Sequence, residues 1–215
     1  MSIGGSATPR RKRRRWSACS TSAATDNRDP VLVDRLAQDR EVILHANRGV
    51  GASTGVVPDT VSDMARDVLR FVDALPLRQI DLLGFSLGGY IGQELALVRS
   101  RLIRRLVLAG TAPQGAPKIH RWTDDVYALA AQDVPDPDRF IRLFFSGSQE
   151  SRAKGVEYLK RISSRAADRD EPTDLATRDA QLGAIARWGI RTRRSSRVLG
   201  RSPSRRWSRT ATTTQ

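Results

Sequence analysis

The sequence predicts an α/β fold: a doubly wound, mostly parallel sheet with a helical lid. Three observations predict it. Apolar, strand-like runs at residues 42–44, 80–83 and 103–108 alternate with helical patterns, and that alternation implies parallel strands joined by helical crossovers on both faces. The middle run leads straight into Gly84-Phe85-Ser86-Leu87-Gly88 and a helix that starts with small residues. From about Lys118 the pattern becomes wholly helical, as in an insertion that roofs the strand ends where open α/β sheets bind ligands.

Each element has a local reason. Asp29 and Pro30 supply an N-cap and a first helical residue, and Val31, Leu32 and Leu36 supply an apolar face. Residues 42–44 read as a buried strand, followed by Asn47-Arg48-Gly49 and a loop rich in Gly, Ser and Thr. Pro58-Asp59-Thr60 opens a helix. Its Val61, Met64, Ala65, Val68, Val72 and Leu75 form one stripe at helical spacing, and Pro76 stops it. The strand at 80–83 reaches Ser86, a helix runs over 87–98, and the strand at 103–108 ends at Gly110-Thr111. Asp136-Pro137 caps a helix with Phe140, Ile141, Phe144 and Phe145. A second carries Val156, Leu159 and Ile162, and a third runs from about Asp174 through Leu182, Ile185 and Trp188. Helix packing is the first reading of these Phe and Trp positions.

The Gly-x-Ser-x-Gly stretch carries the chemistry. A serine at a sharp strand-to-helix turn has its hydroxyl lifted clear of the sheet, and the flanking glycines leave room for the backbone. The N–H of the next residue, Leu87, then points where an oxyanion would develop.

Composition bounds the alternatives. The 215 residues fit one domain, or one domain with a lid. The lone cysteine, Cys19, supports neither a disulfide framework nor a metal cluster. No apolar run approaches the roughly 20 residues of a membrane span, and the basic N-terminal run has no apolar segment after it, so a cytoplasmic protein is expected. The net charge of +14 is unevenly placed. All 23 acidic residues lie within residues 26–190, with 23 of the basic ones; residues 1–25 hold six basic residues and residues 191–215 hold eight arginines. The middle is neutral and the ends are basic. A nucleic-acid-binding protein using those arginine-rich ends is the alternative class, but no reading module is present and the middle has no basic excess.

Asp26-Asn27 with Asp29-Pro30, Asn47-Arg48-Gly49-Val50-Gly51, Gly84-Phe85-Ser86-Leu87-Gly88-Gly89, Leu106-Val107-Leu108-Ala109-Gly110-Thr111 and His120-Arg121-Trp122 together resemble an α/β-hydrolase of the bacterial esterase and haloperoxidase-like kind, over about residues 26–190. The resemblance implies a serine hydrolase acting on an ester or related acyl bond of a small molecule, with no cofactor and no metal. Ser86 would be the nucleophile and the Leu87 N–H half of the oxyanion hole. It divides the chain into a basic, disordered segment at 1–25, a truncated hydrolase core at 26–116, a helical lid at 117–190 and a basic, disordered tail at 191–215.

Three expected family parts are missing from the printed sequence. The family order is Ser, Asp, His, yet the only histidines are His45 and His120, and no acid follows Asp179. Packing is the first reading of both histidines. A central strand ending in a His-x-x-Gly loop, expected between the strands at 42–44 and 80–83, is not legible in residues 1–25. Both ends do make sense in another frame. Joining the third base of each codon to the first two of the next permits V-R-L-Q-H-F-R-G-N between Trp16 and Thr25. From Arg191 the same operation permits P-D-P-A-K-L-A-R and then G-A-I-T-Q-P-T-L-V-A-N-G-D-N-D. The first is a strand with the missing His-x-x-Gly loop, and the second holds a strand and the Gly-Asp-x-Asp turn of the triad acid. The ends therefore read as frame-shifted hydrolase. Such a polypeptide is expected to be inactive, and to express poorly for want of its central strand.

Overall fold

A computed structural model describes residues 14–19 as backbone, and residues 28–117, 119, 122–131, 136–165, 167, 169–171 and 173–190. Among the described residues four parallel strands form one sheet: β1 (Arg14–Cys19), β2 (Arg40–His45), β3 (Ile80–Phe85) and β4 (Ile103–Ala109), in the order β2-β1-β3-β4. Between them run α1 (Pro30–Ala37), α2 (Val61–Asp73) and α3 (Leu87–Val98). Then come α4 (Asp124–Ala130), α5 (Pro137–Phe144), α6 (Gln149–Ile162) and α7 (Leu175–Trp188). Among the described residues no helix is long and apolar enough to cross a membrane.

The core follows the apolar pattern. Val61, Met64, Ala65, Val68 and Val72 are buried along α2, and join Ile80, Leu82, Leu87, Ile91, Leu95, Leu102 and Ile103 in one cluster. Thr60 caps α2, accepting from the Asp63 N–H. The helix ends at Asp73, so Leu75 lies beyond it in a turn, its N–H donating to the Val72 carbonyl. Gly92 lets α3 lie close on the sheet: a Cβ there would stand 3.3 Å from both Leu82 and Leu106. Between β3 and β4 the register slips by one residue, and Arg104 forks onto the buried Asp81 carboxylate, with Nε at 2.7 Å.

Several expectations are corrected. The central strand that the sequence does not reveal is present: β1 pairs with β2 on one side and β3 on the other, so residues 14–19 are not a disordered segment. A parallel ladder is made by backbone N–H and C=O groups, which every residue here carries. With that slot occupied, the physical reason for expecting poor expression falls away. β2 is half-buried rather than buried. The expected apolar face of α1 leaves Val31 47% and Leu32 51% exposed, though Asp29 caps the helix as anticipated. Phe145 ends α5 as its C-cap, and Val156 is exposed on α6. His120 and residues 191–215 lie outside the described residues.

Helix α7 ties the helical segment to the sheet at both ends. Near its start, the Thr177 hydroxyl donates to the Gly49 carbonyl beyond β2 at 3.5 Å. At its end the Trp188 indole N–H donates to the Ala112 carbonyl beyond β4 at 3.1 Å, and the Gly115 N–H donates back to the Trp188 carbonyl at 2.9 Å. The Trp188 ring also stacks on Tyr90 of α3 at 5.4 Å.

Candidate active site at the strand-to-helix elbow

Ser86 follows the last residue of β3 and precedes the first of α3. Its φ is 51° and its ψ −119°, and among the described residues it is the one non-glycine with positive φ. That conformation costs on the order of 1–3 kcal/mol and persists only where the surroundings impose it. They do so here. The Ser86 N–H donates to the Ala109 carbonyl of β4 at 2.9 Å, and the Ser86 carbonyl accepts from the Gly89 N–H at 2.8 Å. The bend also needs absent side chains: a Cβ on Gly84 would lie 2.5 Å from the Gly88 carbonyl oxygen, and one on Gly89 would lie 2.6 Å from the Thr111 side chain. Leu87 anchors the turn in the core with 1% exposure, while Ser86 is half-buried.

The N–H of Leu87 is at the first position of α3. The first amides of a helix have no partner inside it, and the helix dipole places partial positive charge there. A serine oxygen and an N–H donor thus share one end of a helix at the carboxyl end of a parallel sheet, the place where such sheets bind ligands.

Among the described residues no hydrogen bond joins the Ser86 hydroxyl to a base. His45 is the last residue of β2. In register it opposes Cys19, which in turn opposes Gly84, so His45 is two strand spacings, about 10 Å, from the β3 backbone. Its ring lies against Phe71 of α2 at 4.7 Å. Burial, with the Arg28 guanidinium nearby, holds the imidazole down to about 4. It is a neutral packing residue at pH 7. Among the described residues no group of three or more His, Cys, Asp or Glu side chains is placed to hold a metal.

Two features were not legible as part of this site. Thr111 closes over Gly89, one turn from Ser86; a Gly-Thr pair ending a strand was the only signal. The Trp188–Tyr90 stack was hidden in an ordinary helical stripe. Both fix the crossover after β4, where Gln93 also donates to the Ala112 and Gly89 carbonyls.

A family profile described as the alpha/beta hydrolase fold matches residues 23–177. A protein of Rhizobium rhizogenes carrying the provisional name carbamate hydrolase RutD is 38% identical over 94 residues, 43% of this chain and 36% of that protein. Its counterpart in Variovorax paradoxus is 36% identical over 114 residues, 52% of this chain and 42% of that one. The aligned parts therefore span well under half the length of these relatives. A solved alpha/beta hydrolase fold protein from Chitinophaga pinensis superposes with a TM-score of 0.78 at 37% identity, covering 84% of this chain and 66% of that one. The enol-lactonase from Burkholderia xenovorans LB400, at 20% identity and a TM-score of 0.61 over 85% of this chain and 68% of that one, shares the fold. The chain belongs to the α/β-hydrolase fold family.

Proposed function

We propose that this chain derives from a serine hydrolase that cleaves an ester or related acyl bond of a small molecule, with α4 to α7 as its lid. The single observation that carries the proposal is the left-handed backbone at Ser86, imposed by β4 and by the glycines around it. In the parent reaction the Ser86 oxygen bonds to the acyl carbon, its proton passes to a base, and the carbonyl oxygen takes the electron pair beside the Leu87 N–H. Collapse expels the leaving group, and water then clears the acyl-enzyme. The provisional name of relatives similar to part of this chain, a carbamate hydrolase, supports an acyl-type small-molecule substrate.

As a polypeptide of these 215 residues, the nucleophile lacks its base and the acid that would orient it. Loss of a triad base typically removes about 10⁴-fold or more of kcat. The purified chain is expected to hydrolyse p-nitrophenyl acetate within about tenfold of its Ser86→Ala variant. Turnover far above that variant would contradict the assignment of inactivity.

We propose also that residues 1–25, up to about Thr25, and residues 191–215 are hydrolase sequence read out of frame. In support, β1 ends at Cys19, directly before the codons from which the other frame yields His-x-x-Gly. Independent sequencing of the DNA that confirms the printed frame, together with a cellular peptide ending at Gln215, would sink this.

A further inference from the structure

The four helices after β4 divide by burial. Helix α7 carries five buried residues, Thr177, Gln181, Ala184, Ile185 and Trp188, and the last three belong to the main core. Helix α5 has one, Ile141, and α6 has Gly155 and Ile162; neither isoleucine belongs to that core. Helix α4 has none. Instead, α5 and α6 share a small cluster of their own. Phe140 stacks on Tyr158 with ring centres 5.7 Å apart, and Phe145 lies 6.2 Å from the same ring. A Cβ on Gly155 would stand 3.0 Å from Phe145 and 3.1 Å from Ile141, so α6 lies close on α5. The substantial packing of α5 is on α4 and α6, whereas that of α7 is on α2 and α3. Two bodies with separate cores can part without either core opening.

A charged fork joins the smaller body to the sheet side. Arg161, near the end of α6, donates from Nη2 to the Asp29 Oδ2 at 2.7 Å and from Nε to the Oδ1 at 3.0 Å. Asp29 follows Arg28, whose Nη2 donates at 2.7 Å to the carbonyl of His45, the last residue of β2. The fork therefore closes at the carboxyl rim of the sheet, where such sheets bind ligands. Helix α4 is tied to α7 instead: the carbonyl of its C-cap, Ala131, accepts from the Arg178 Nη1 at 3.0 Å.

We infer that α5 and α6 are a flap that opens as one body while α7 stays on the sheet, with the Asp29–Arg161 fork as its latch. Opening parts this ion pair and leaves both hydrophobic clusters closed. The pair is partly exposed, so water takes up the two charges as they separate, and the latch is a weak one. A weak latch on a body with its own core is what reversible opening requires. The role of the flap at the rim rests on the proposed ligand site there; its motion does not.

The test is hydrogen–deuterium exchange of the full chain, read by peptide mass. The amides of α5 and α6 are expected to exchange together, about tenfold faster than those of α2 and α7. Arg161→Ala is expected to speed α5 and α6 about fivefold further and to leave α2 and α7 unchanged. Asp29→Asn, which keeps a capping side chain, is expected to do the same, and the two substitutions together no more than either alone. A parent in which α5, α6 and α7 exchange alike overturns the inference. So does an Arg161→Ala variant that speeds α7 along with α5 and α6, or speeds nothing. Should Arg161→Ala unfold the whole chain, the fork holds the fold rather than a flap, and the inference falls. Exchange needs no turnover and Ser86 chemistry is read separately by ester hydrolysis, so either proposal can fail alone.

Discussion

Between Ile80 and Leu95 the side chains specify the structure. Ile80, Leu82, Leu87, Ile91 and Leu95 are each at most 1% exposed, and Gly84 and Gly89 stand where a Cβ would collide. In β1, one strand away, the sequence is Arg-Arg-Trp-Ser-Ala-Cys, not the near-continuous apolar run of a central parallel strand. Yet β1 is held by ladders on both sides. The difference separates two kinds of information. A central slot can be filled by any backbone able to donate and accept, whereas an elbow needs particular residues at particular places. The elbow is encoded by its side chains, and β1 by its backbone alone.

A proline gives the largest expected effect and breaks the comparison most easily. Ser17 sits between Ile43 and Leu82 in the ladders. Ser17→Pro removes a donor from an interior strand and is expected to cost about 3 kcal/mol or more. Unchanged urea unfolding would mean that β1 contributes little to the sheet. Acid probes the same side. His45 opposes Cys19 and takes a proton near pH 6.5 when unfolded but only at about 4 when folded. As pH falls through that window the unfolded chain binds the proton first. Stability present above pH 6.5 is lost by pH 4, on the order of 3 kcal/mol. The check is the difference in urea midpoint between this chain and His45→Phe from pH 7 to 4, and parallel curves would refute it.

On the elbow side, Gly84→Ala forces a Cβ to 2.5 Å from the Gly88 carbonyl oxygen, and is expected to cost about 2 kcal/mol in chemical denaturation. A neutral result would mean that the bend is not fixed by packing. The smallest effect concerns the chain after β1. Arg161 of α6 forks onto Asp29, with Nη2 at 2.7 Å and Nε at 3.0 and 3.1 Å, and this hydrogen bond holds the Asp29 carboxyl below its usual range. The pair is partly exposed, so Arg161→Ala is expected to lower stability by about 1 kcal/mol. A calorimetric Tm equal to the parent's would remove this tether from the account.

The stripe of α2, the caps at Asp29 and Asp136, and the run from β3 through Ser86 into α3 were legible in the sequence, because period, caps and glycines agree there. β1 was not, since its pairing uses groups that the side-chain pattern does not encode. The exposure of Val31 and Leu32 was also hidden: an apolar stripe shows that a helix can bury a face, not what stands opposite.

We propose that Ser86 is a nucleophile without a base, and supplying the base tests that proposal most directly. Imidazole should enter beside Ser86 and accept its proton. The measurement is p-nitrophenyl acetate hydrolysis by this chain and by Ser86→Ala over an imidazole titration, the variant correcting for imidazole's own reaction. The two proteins are expected to match without imidazole and to diverge as it rises, with this chain faster. Matching rates throughout would contradict the nucleophile, and a large Ser86-dependent rate with no imidazole would contradict the missing base.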